Sequence, residues 1–285
     1  MFIINHSKDV DGWTSGAICK LKYPEAKVIE WDYKDEFPDF KQFENEEVIM
    51  VDVTFPLNKI VELKTICKEL TIIDHHISFK KEFDSLDVEY INSTNINYFY
   101  KDKTSASELA WEYLFPEKAM PYAITLIGRY DTWRLFEGDW KNETLPFSYF
   151  TYSIMSSSSN APYYLFDNTI NIKDSLGIGK TIMEYQDRSN KIVTKSNSFE
   201  REVFGGLRAL CINYYPFSSE ILKSKYEESK HDIMIGFCFS NNMWIVSLRT
   251  TKEEVDCSVI ARQRGGGGHR AAAGFEVKTF EEIFI

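Results

Sequence analysis

Residues 70–76 read Leu-Thr-Ile-Ile-Asp-His-His, a β-branched run that stops on one carboxylate and two imidazoles. Thr71, Ile72 and Ile73 have the bulk and branching of a short buried strand, which puts Asp74, His75 and His76 at or just past its end. In open α/β sheets ligands bind outside the carboxyl ends of the strands, so a site is expected here. Only five histidines occur in the chain, and two of them are adjacent at this point. Neighbouring side chains on an extended segment point opposite ways, which lets His75 and His76 serve two partners, for example a metal and a phosphate. Taken alone, the three residues suit equally an Asp that caps the next helix beside a solvated histidine pair.

Two earlier apolar runs meet acid in the same way. Residues 2–5 lead into His6-Ser-Lys-Asp9-Val-Asp11-Gly12, and residues 48–51 end on Asp52. Asp9 and Asp11 are two apart, so an extended segment would face both carboxylates the same way. Side by side they repel unless a cation lies between them, which makes a divalent metal the natural occupant. By itself Asp-x-Asp-Gly is as readily a polar turn. Gly12 then allows a turn into a helix over residues 15–23, stopped before Pro24. Residues 27–33 read as another strand, and Thr54 and Pro56 open a helix that runs to about Glu69. Strands alternating with helices imply a parallel sheet whose strand ends open on one edge, which gathers these acids together. Helices are also expected over 104–111 and 122–130, the second delivering Asp131 as a candidate fourth acid.

With 285 residues, 44% of them hydrophobic and 15% aromatic, the chain has core enough for one large or two ordinary domains. Its formal net charge of −10 opposes binding to long duplex nucleic acid, because unspecific affinity comes from lysines and arginines replacing counterions. A small or short phosphorylated substrate fits better. The five cysteines lie far apart in apolar surroundings without a Cys-x-x-Cys pair, which reads as reduced core thiols, not as a disulfide frame or zinc site. Met1 leads into a strand with no basic region before it, and no apolar run approaches membrane-spanning length. The expectation is a soluble, cytoplasmic protein without a membrane partner.

Residues 136–165 are aromatic and irregular, and residues 170–198 read as a connecting helix with apolar positions at Ile178, Ile182, Tyr185 and Ile192. Strands over 207–212, 233–239 and 244–249 and a helix over 256–264 follow. Then come four consecutive glycines, Gly265, Gly266, Gly267 and Gly268, with His269 and Arg270 next. Such a run costs conformational entropy, so a compact domain keeps it where backbone approaches something closely or adopts positive φ. Its N–H groups could form a nest for an anion. Arg249, at the end of a strand, is a further candidate phosphate contact.

Taken in order, His6-Ser-Lys-Asp-Val-Asp-Gly, Asp52, Asp74-His-His, Gly-Arg-Tyr-Asp131, Ser247-Leu-Arg249 and Gly265-Gly-Gly-Gly-His269-Arg-Ala-Ala-Ala-Gly274 carry a resemblance over nearly the whole chain. It resembles the DHH phosphoesterases with a C-terminal DHH-associated domain. Each piece is weak, whereas their order and number are specific. The resemblance implies an α/β protein: a parallel-sheet catalytic domain over 1–150, a connecting loop and helix over 151–204, and a smaller α/β substrate-binding domain with a mixed sheet over 205–285. It implies two Mn²⁺ ions, with Mg²⁺ as a substitute, bound by His6, Asp9, Asp11, Asp52, His75 and Asp131, with Asp52 bridging. His76 would face the substrate phosphate and Asp74 would orient His75 or His76. Arg249, the four glycines, His269 and Arg270 would hold the nucleotide. Two such metals, about 3.5–4 Å apart, lower the pKa of a bridging water and absorb phosphoryl charge during in-line attack.

Within that family the length and layout are most similar to the oligoribonuclease B and cyclic-nucleotide phosphodiesterase type. This implies a manganese-dependent exonuclease or phosphodiesterase acting on short RNA or DNA oligonucleotides or small nucleotides, with a homodimer compatible. The alternatives are a 3′,5′-bisphosphate nucleotidase, a cyclic-dinucleotide phosphodiesterase, a RecJ-type single-strand exonuclease, or a nucleotide-binding sensor without catalysis. The acidic balance argues against the RecJ type, and the filled ligand positions argue against the sensor.

Overall fold

In a computed structural model, which describes residues 1–86, 95–215 and 219–285, the short apolar runs over 2–5, 48–51 and 70–73 become strands that bury both of their faces. β1 (Phe2–His6), β2 (Lys27–Trp31), β3 (Glu47–Val51), β4 (Glu69–Ile73) and β5 (Ile96–Phe99) form a parallel sheet in the order β2-β1-β3-β4-β5. Successive residues feed opposite cores. Ile3, Ile49, Val51 and Ile73 face one, and Phe2, Ile4, Val48, Met50, Leu70 and Ile72 face the other. A parallel sheet requires this double cover. Helix α1 (Val10–Lys22) packs on the first face, α2 (Leu57–Ile66) and α3 (Ile77–Asp84) pack on the second, and α4 (Ala106–Leu114), α5 (Tyr122–Asp131) and α6 (Leu145–Ile154) return to the first.

The strand order reverses at β1. From β1 the chain moves outward to β2, then crosses back to lay β3 on the other side of β1. Where neighbouring connections leave in opposite directions a crevice opens at the carboxyl ends of the strands. That crevice lies between the ends of β1 and β3, next to His6, Asp9 and Asp52.

Two local readings are corrected. Helix α1 starts at Val10, ahead of the expected Ser15, because Asp9 caps it: Asp9 Oδ1 accepts a hydrogen bond from Gly12 N at 2.9 Å. Asp11 and Gly12 therefore lie in the first helical turn, and the extended-strand argument for facing Asp9 and Asp11 the same way does not apply. Within the stretch expected to be irregular, a π-helical turn (Trp140–Thr144) feeds α6, which carries a proline in its opening turn.

The chain divides into two compact units, Met1–Met183 and Glu184–Ile285, the division falling inside the long helix α7 (Ile172–Asn197). Ile178, Tyr185 and Ile192 are 50%, 65% and 68% exposed, so they do not form an inward face of that helix. The second unit is built on a mixed sheet of β6 (Ser198–Val203), β7 (Leu207–Asn213), β8 (Ile233–Ser240), β9 (Met243–Arg249), β10 (Gly267–His269) and β11 (Ala272–Val277), in the order β10-β11-β9-β8-β7-β6. Only the β7–β8 pair is parallel. Helix α8 (Cys257–Arg262) follows β9 and is capped by Asp256. All five cysteines are free thiols. Among the described residues no helix is long and apolar enough to cross a membrane.

Candidate metal centre and anion site

The ends of β1, β3 and β4 bring the acids and imidazoles together. His6 closes β1, and its Nδ1 lies 2.9 Å from Asp9 Oδ2 and 3.6 Å from Asp52 Oδ2. Asp52 follows β3 in the left-handed region, φ +61°, a conformation that Asp and Asn adopt more readily than most residues. Its backbone N–H still donates to the Ile73 carbonyl at 3.1 Å, so the carboxylate is aimed by the sheet. His75, beyond β4, places Nε2 at 3.3 Å from Asp52 Oδ1 and 3.5 Å from Asp131 Oδ2. Asp131 arrives as the last residue of α5. Three sets of potential ligand atoms lie within 4.8 Å of one another: His6–Asp9–Asp52, Asp11–His75–Asp131 and Asp52–His75–His76. The first two contain all six residues expected to bind metal.

Gly12 is what lets α1 come this close. A Cβ there would meet the His6 carbonyl oxygen at 2.5 Å and Asp52 Oδ2 at 3.0 Å. The glycine serves a close approach and not the turn expected of it. Asp11, buried, is held by the next layer: its two oxygens accept from Ala106 N at 2.8 Å and Ser107 N at 3.1 Å, at the start of α4. The positive end of that helix favours a carboxylate there.

The electrostatics are those of a site with too much negative charge. At an effective dielectric constant of about 20, two carboxylates about 4 Å apart repel by about 4 kcal/mol. Burial, and then the neighbouring carboxylates, push Asp11 and Asp131 above the ordinary range. Burial would lower the two imidazoles, but hydrogen bonding to Asp52, joined by Asp9 at His6, outweighs it and pushes His6 up to about 11 and His75 up to about 10. Protons or cations must neutralise this cluster. Asp131 Oδ2 is buried and, although His75 Nε2 lies 3.5 Å away, makes no hydrogen bond among the described residues, which leaves a lone pair that a cation would satisfy. The nitrogen and oxygen donors suit Mn²⁺, Mg²⁺ or a similar divalent ion.

His76, though within reach of Asp52 and His75, has a carboxylate partner of its own. Its Nδ1 is 2.7 Å from Asp74 Oδ1, and Asp74 is fully buried beneath it. A carboxylate in that position keeps the hydrogen on Nδ1 and leaves Nε2 as the ring's other nitrogen. One neighbour went unread in the sequence. Asp32 Oδ1 lies 3.4 Å from His6 Nε2. It is the residue immediately after β2, which ends at Trp31 and not at the expected Tyr33, so it carries the same signal as Asp52 and Asp74, an acid at a strand end.

No protein-family model matches the chain. Uncharacterized protein R106 of Acanthamoeba polyphaga mimivirus is 24% identical over 246 residues, 81% of this chain and 53% of that protein. The chain thus spans about half the length of the curated relative it matches. Among the solved structures that superimpose along its length are two with the following match. The DHH domain of a member of the s1p family of ribosomal proteins covers 99% of this chain and 84% of its own, with a TM-score of 0.62 at 16% identity. The fold is that of a DHH protein. The pGpG-specific phosphodiesterase PggH from Vibrio cholerae likewise covers 99% of this chain and 94% of its own, with a TM-score of 0.57 at 14% identity. At these identities the likeness is one of fold.

In the second unit of this DHH fold, Arg249, Ala272 and His269 stand directly opposite one another across β9, β11 and β10. Opposed residues of paired strands share a face, so a small alanine separates two potentially cationic side chains. Arg249 is half-buried, and the only hydrogen bond of its guanidinium among the described residues goes to the Leu248 carbonyl, 2.8 Å from Nη1. Burial lowers its pKa, which marks a guanidinium short of a counter-charge. His269 is exposed. Arg270 is committed elsewhere, donating through Nη1 to the carbonyls of Lys252 and Glu253, each at 2.9 Å. The glycine run is half packing device: a Cβ on Gly266 would meet the Gly274 carbonyl oxygen at 2.1 Å, and one on Gly268 the Ala272 carbonyl oxygen at 2.6 Å, with φ +132°. Gly267 and Gly265 have open space.

Proposed function

We propose that this chain is a divalent-metal-dependent phosphodiesterase that hydrolyses short RNA or DNA oligonucleotides or small nucleotides. The observation that carries the reading is the carboxylate of Asp52, whose two oxygens face two different ligand sets, His6–Asp9 and His75–Asp131. In this reading the first set and Asp52 hold one ion, and Asp11, His75 and Asp131 with Asp52 hold the other. Bound ions supply activated water near neutral pH and offset charge on the phosphoryl oxygens. Mn²⁺ is favoured over Mg²⁺, since imidazole makes the set softer than an all-oxygen one.

The chain's own groups have separate tasks. Asp74 fixes the His76 ring through Nδ1 and, against the effect of burial, favours the imidazolium, whose Nε2–H would donate to the phosphate or to the leaving oxygen. Arg249 and His269 hold a substrate phosphate over the Ala272 gap. Gly265 N and Gly266 N already donate to the carbonyls of Arg262 and Ala261 at 3.1 and 2.9 Å, so of the glycine run it is Gly267 and Gly268, beside His269, whose backbone would approach the substrate, and Arg270 steadies the hairpin that presents them. The PggH structure is described as a phosphodiesterase specific for pGpG, a linear dinucleotide, and this supports a short linear substrate over a cyclic one.

The test is turnover by purified protein with Mn²⁺ on di- to pentaribonucleotides, matching deoxy oligomers, pAp, cyclic mono- and dinucleotides, and pyrophosphate. Hydrolysis of short linear oligomers is expected. Turnover of pyrophosphate alone, or of nothing, would sink the reading.

A further inference from the structure

On either side of Asp131 in the chain the first unit carries three rings in nearly one orientation. Tyr130 and Trp140 have centroids 5.9 Å apart and an interplanar angle of 12°, Trp133 and Trp140 lie 5.9 Å apart at 23°, and Tyr130 and Trp133 lie 6.4 Å apart at 24°. At the ~3.5–4.0 Å contact distance of carbon atoms, a single-file stack would hold its outer rings about 7–8 Å apart. None of these pairs is that far apart, so the rings are tiled side by side and overlap in part. They form a broad aromatic surface. Trp133 is 68% exposed on it.

That exposure is built in. The turn is pinned at every residue: Trp133 N donates to the Tyr130 carbonyl at 3.3 Å and Arg134 N to the Arg129 carbonyl at 3.0 Å. Arg134 reaches back with Nη2 to buried Glu108 at 2.7 Å and with Nε to Thr132 Oγ1 at 2.9 Å. Trp133 itself has φ +53°, a region bulky residues rarely occupy. Trp140 is set by the Asp139 cap of its own turn. A large indole is thus left exposed in an uncommon backbone conformation that the bonds of its neighbours hold in place.

The occupant follows from position. Two residues of chain span at most ~7 Å, so Trp133 lies within a nucleotide's reach of Asp131 and the ligand sets. Every nucleobase has a π-face, and stacking on aromatic side chains tolerates any base. We propose that Trp133, supported by Tyr130 and Trp140, is a stacking platform for a nucleobase of the substrate, purine or pyrimidine. This rests on the reading above that the metal centre acts on nucleotide phosphates. It adds a second nucleotide contact, independent of Arg249 and His269, on the unit that carries the ligands.

The test compares adenosine 5′-monophosphate with ribose 5-phosphate, which lacks the base, by calorimetric titration without added metal. The proteins are the wild type, Trp133→Ala and Trp133→Phe, with thermal melts to confirm that each is folded. The expected result is tighter binding of the monophosphate than of the sugar phosphate in the wild type. That advantage should fall about 5- to 150-fold in Trp133→Ala and be largely kept in Trp133→Phe. The KM for a dinucleotide should rise in the same order. Unchanged affinity and KM in Trp133→Ala overturn the platform, as does an equal loss for both ligands. A change confined to the oligomeric state in sedimentation would make the surface a protein contact and also overturn it. If no phosphodiester is hydrolysed but monophosphate binding still depends on Trp133, the platform stands and the metal-centre reading fails. If dinucleotides are hydrolysed with a KM indifferent to Trp133, the reverse holds.

Discussion

Asp52 presents Oδ1 to His75 Nε2 at 3.3 Å and thereby leaves Oδ2 to the other side of the crevice, where His6 waits at 3.6 Å. One carboxylate divided between two imidazoles from different strands predicts a specific failure. Asp52→Asn keeps the shape and the tolerance for positive φ, so the fold should survive, but an amide brings no charge to offset two cations. Metal content should fall from two ions towards one or none, and kcat by at least about 100-fold, the scale of losing a few kcal/mol of transition-state stabilisation. Metal analysis and kinetics beside Asp9→Asn check this. An Asp52→Asn enzyme with both metals and near wild-type turnover would show the bridging assignment to be wrong.

The pH dependence of the metal-free protein follows from the same crowding. Asp11 and Asp131 are raised, so each opposes folding increasingly as pH climbs from the ordinary carboxylate range through its elevated folded value. His6 and His75 are raised to about 11 and about 10. Their stabilisation is complete below their unfolded value near 6.5 and is lost as pH rises through the folded values. Both effects have one sign: without metal, Tm should fall between pH 5 and pH 9. Mn²⁺ should raise Tm most at the alkaline end, because ligand deprotonation strengthens metal binding. Chelation should abolish turnover throughout. A metal-free Tm that increased with pH, measured by calorimetry, would contradict this account.

Arg249 and His269 should fail differently from the metal ligands. Arg249→Ala or His269→Ala should leave metal content intact and raise KM, with kcat falling too if distant binding aligns the scissile phosphate. A lost charge-assisted hydrogen bond, about 1.5–3 kcal/mol, corresponds to a 10- to 150-fold drop in kcat/KM. The loss should shrink on bis-p-nitrophenyl phosphate, which offers no nucleotide to grip. Equal losses on both substrates, or loss of Mn²⁺, would move these residues into the catalytic centre.

The glycine run contains its own control. Gly266→Ala places a Cβ 2.1 Å from the Gly274 carbonyl oxygen, whereas Gly267→Ala meets nothing within 4 Å. Gly266→Ala should lower stability by about 1–3 kcal/mol, as overpacking does, and Gly267→Ala should stay within about 0.5 kcal/mol of the wild type. Denaturant unfolding distinguishes them. If Gly267→Ala nevertheless weakens substrate binding, its open backbone is touching the substrate; equal destabilisation by both would refute the packing argument.

The strands that carry the site were legible in the sequence because each is short, β-branched and ended by acid. Residues 71–73 and 48–51 appear at the expected places in β4 and β3, and the parallel order follows from their alternation with helices. What was illegible depended on contacts distant in sequence. The start of α1 is set by the Asp9 cap and by the room Gly12 leaves for His6, and no local period reports either. α6 hides in an aromatic stretch where nearly every residue is large. The hairpin of β10 and β11 was masked by glycines, whose role is set by carbonyls on the facing strand. Arg249 and His269 are separate candidates in the sequence; the register that sets them on either side of Ala272 exists only once three strands pair.

The spacing of the ligand sets along the chain also separates them in time during synthesis. His6, Asp9 and Asp52 have all been made once residue 52 has emerged, but Asp11 and His75 lack their partner until residue 131. At ~5–20 residues per second this leaves an interval of about 4–16 s. In the proposed reading a nascent chain therefore carries one complete set of candidate ligands well before the other can exist, and a chain halted between those points would hold half of the candidate centre.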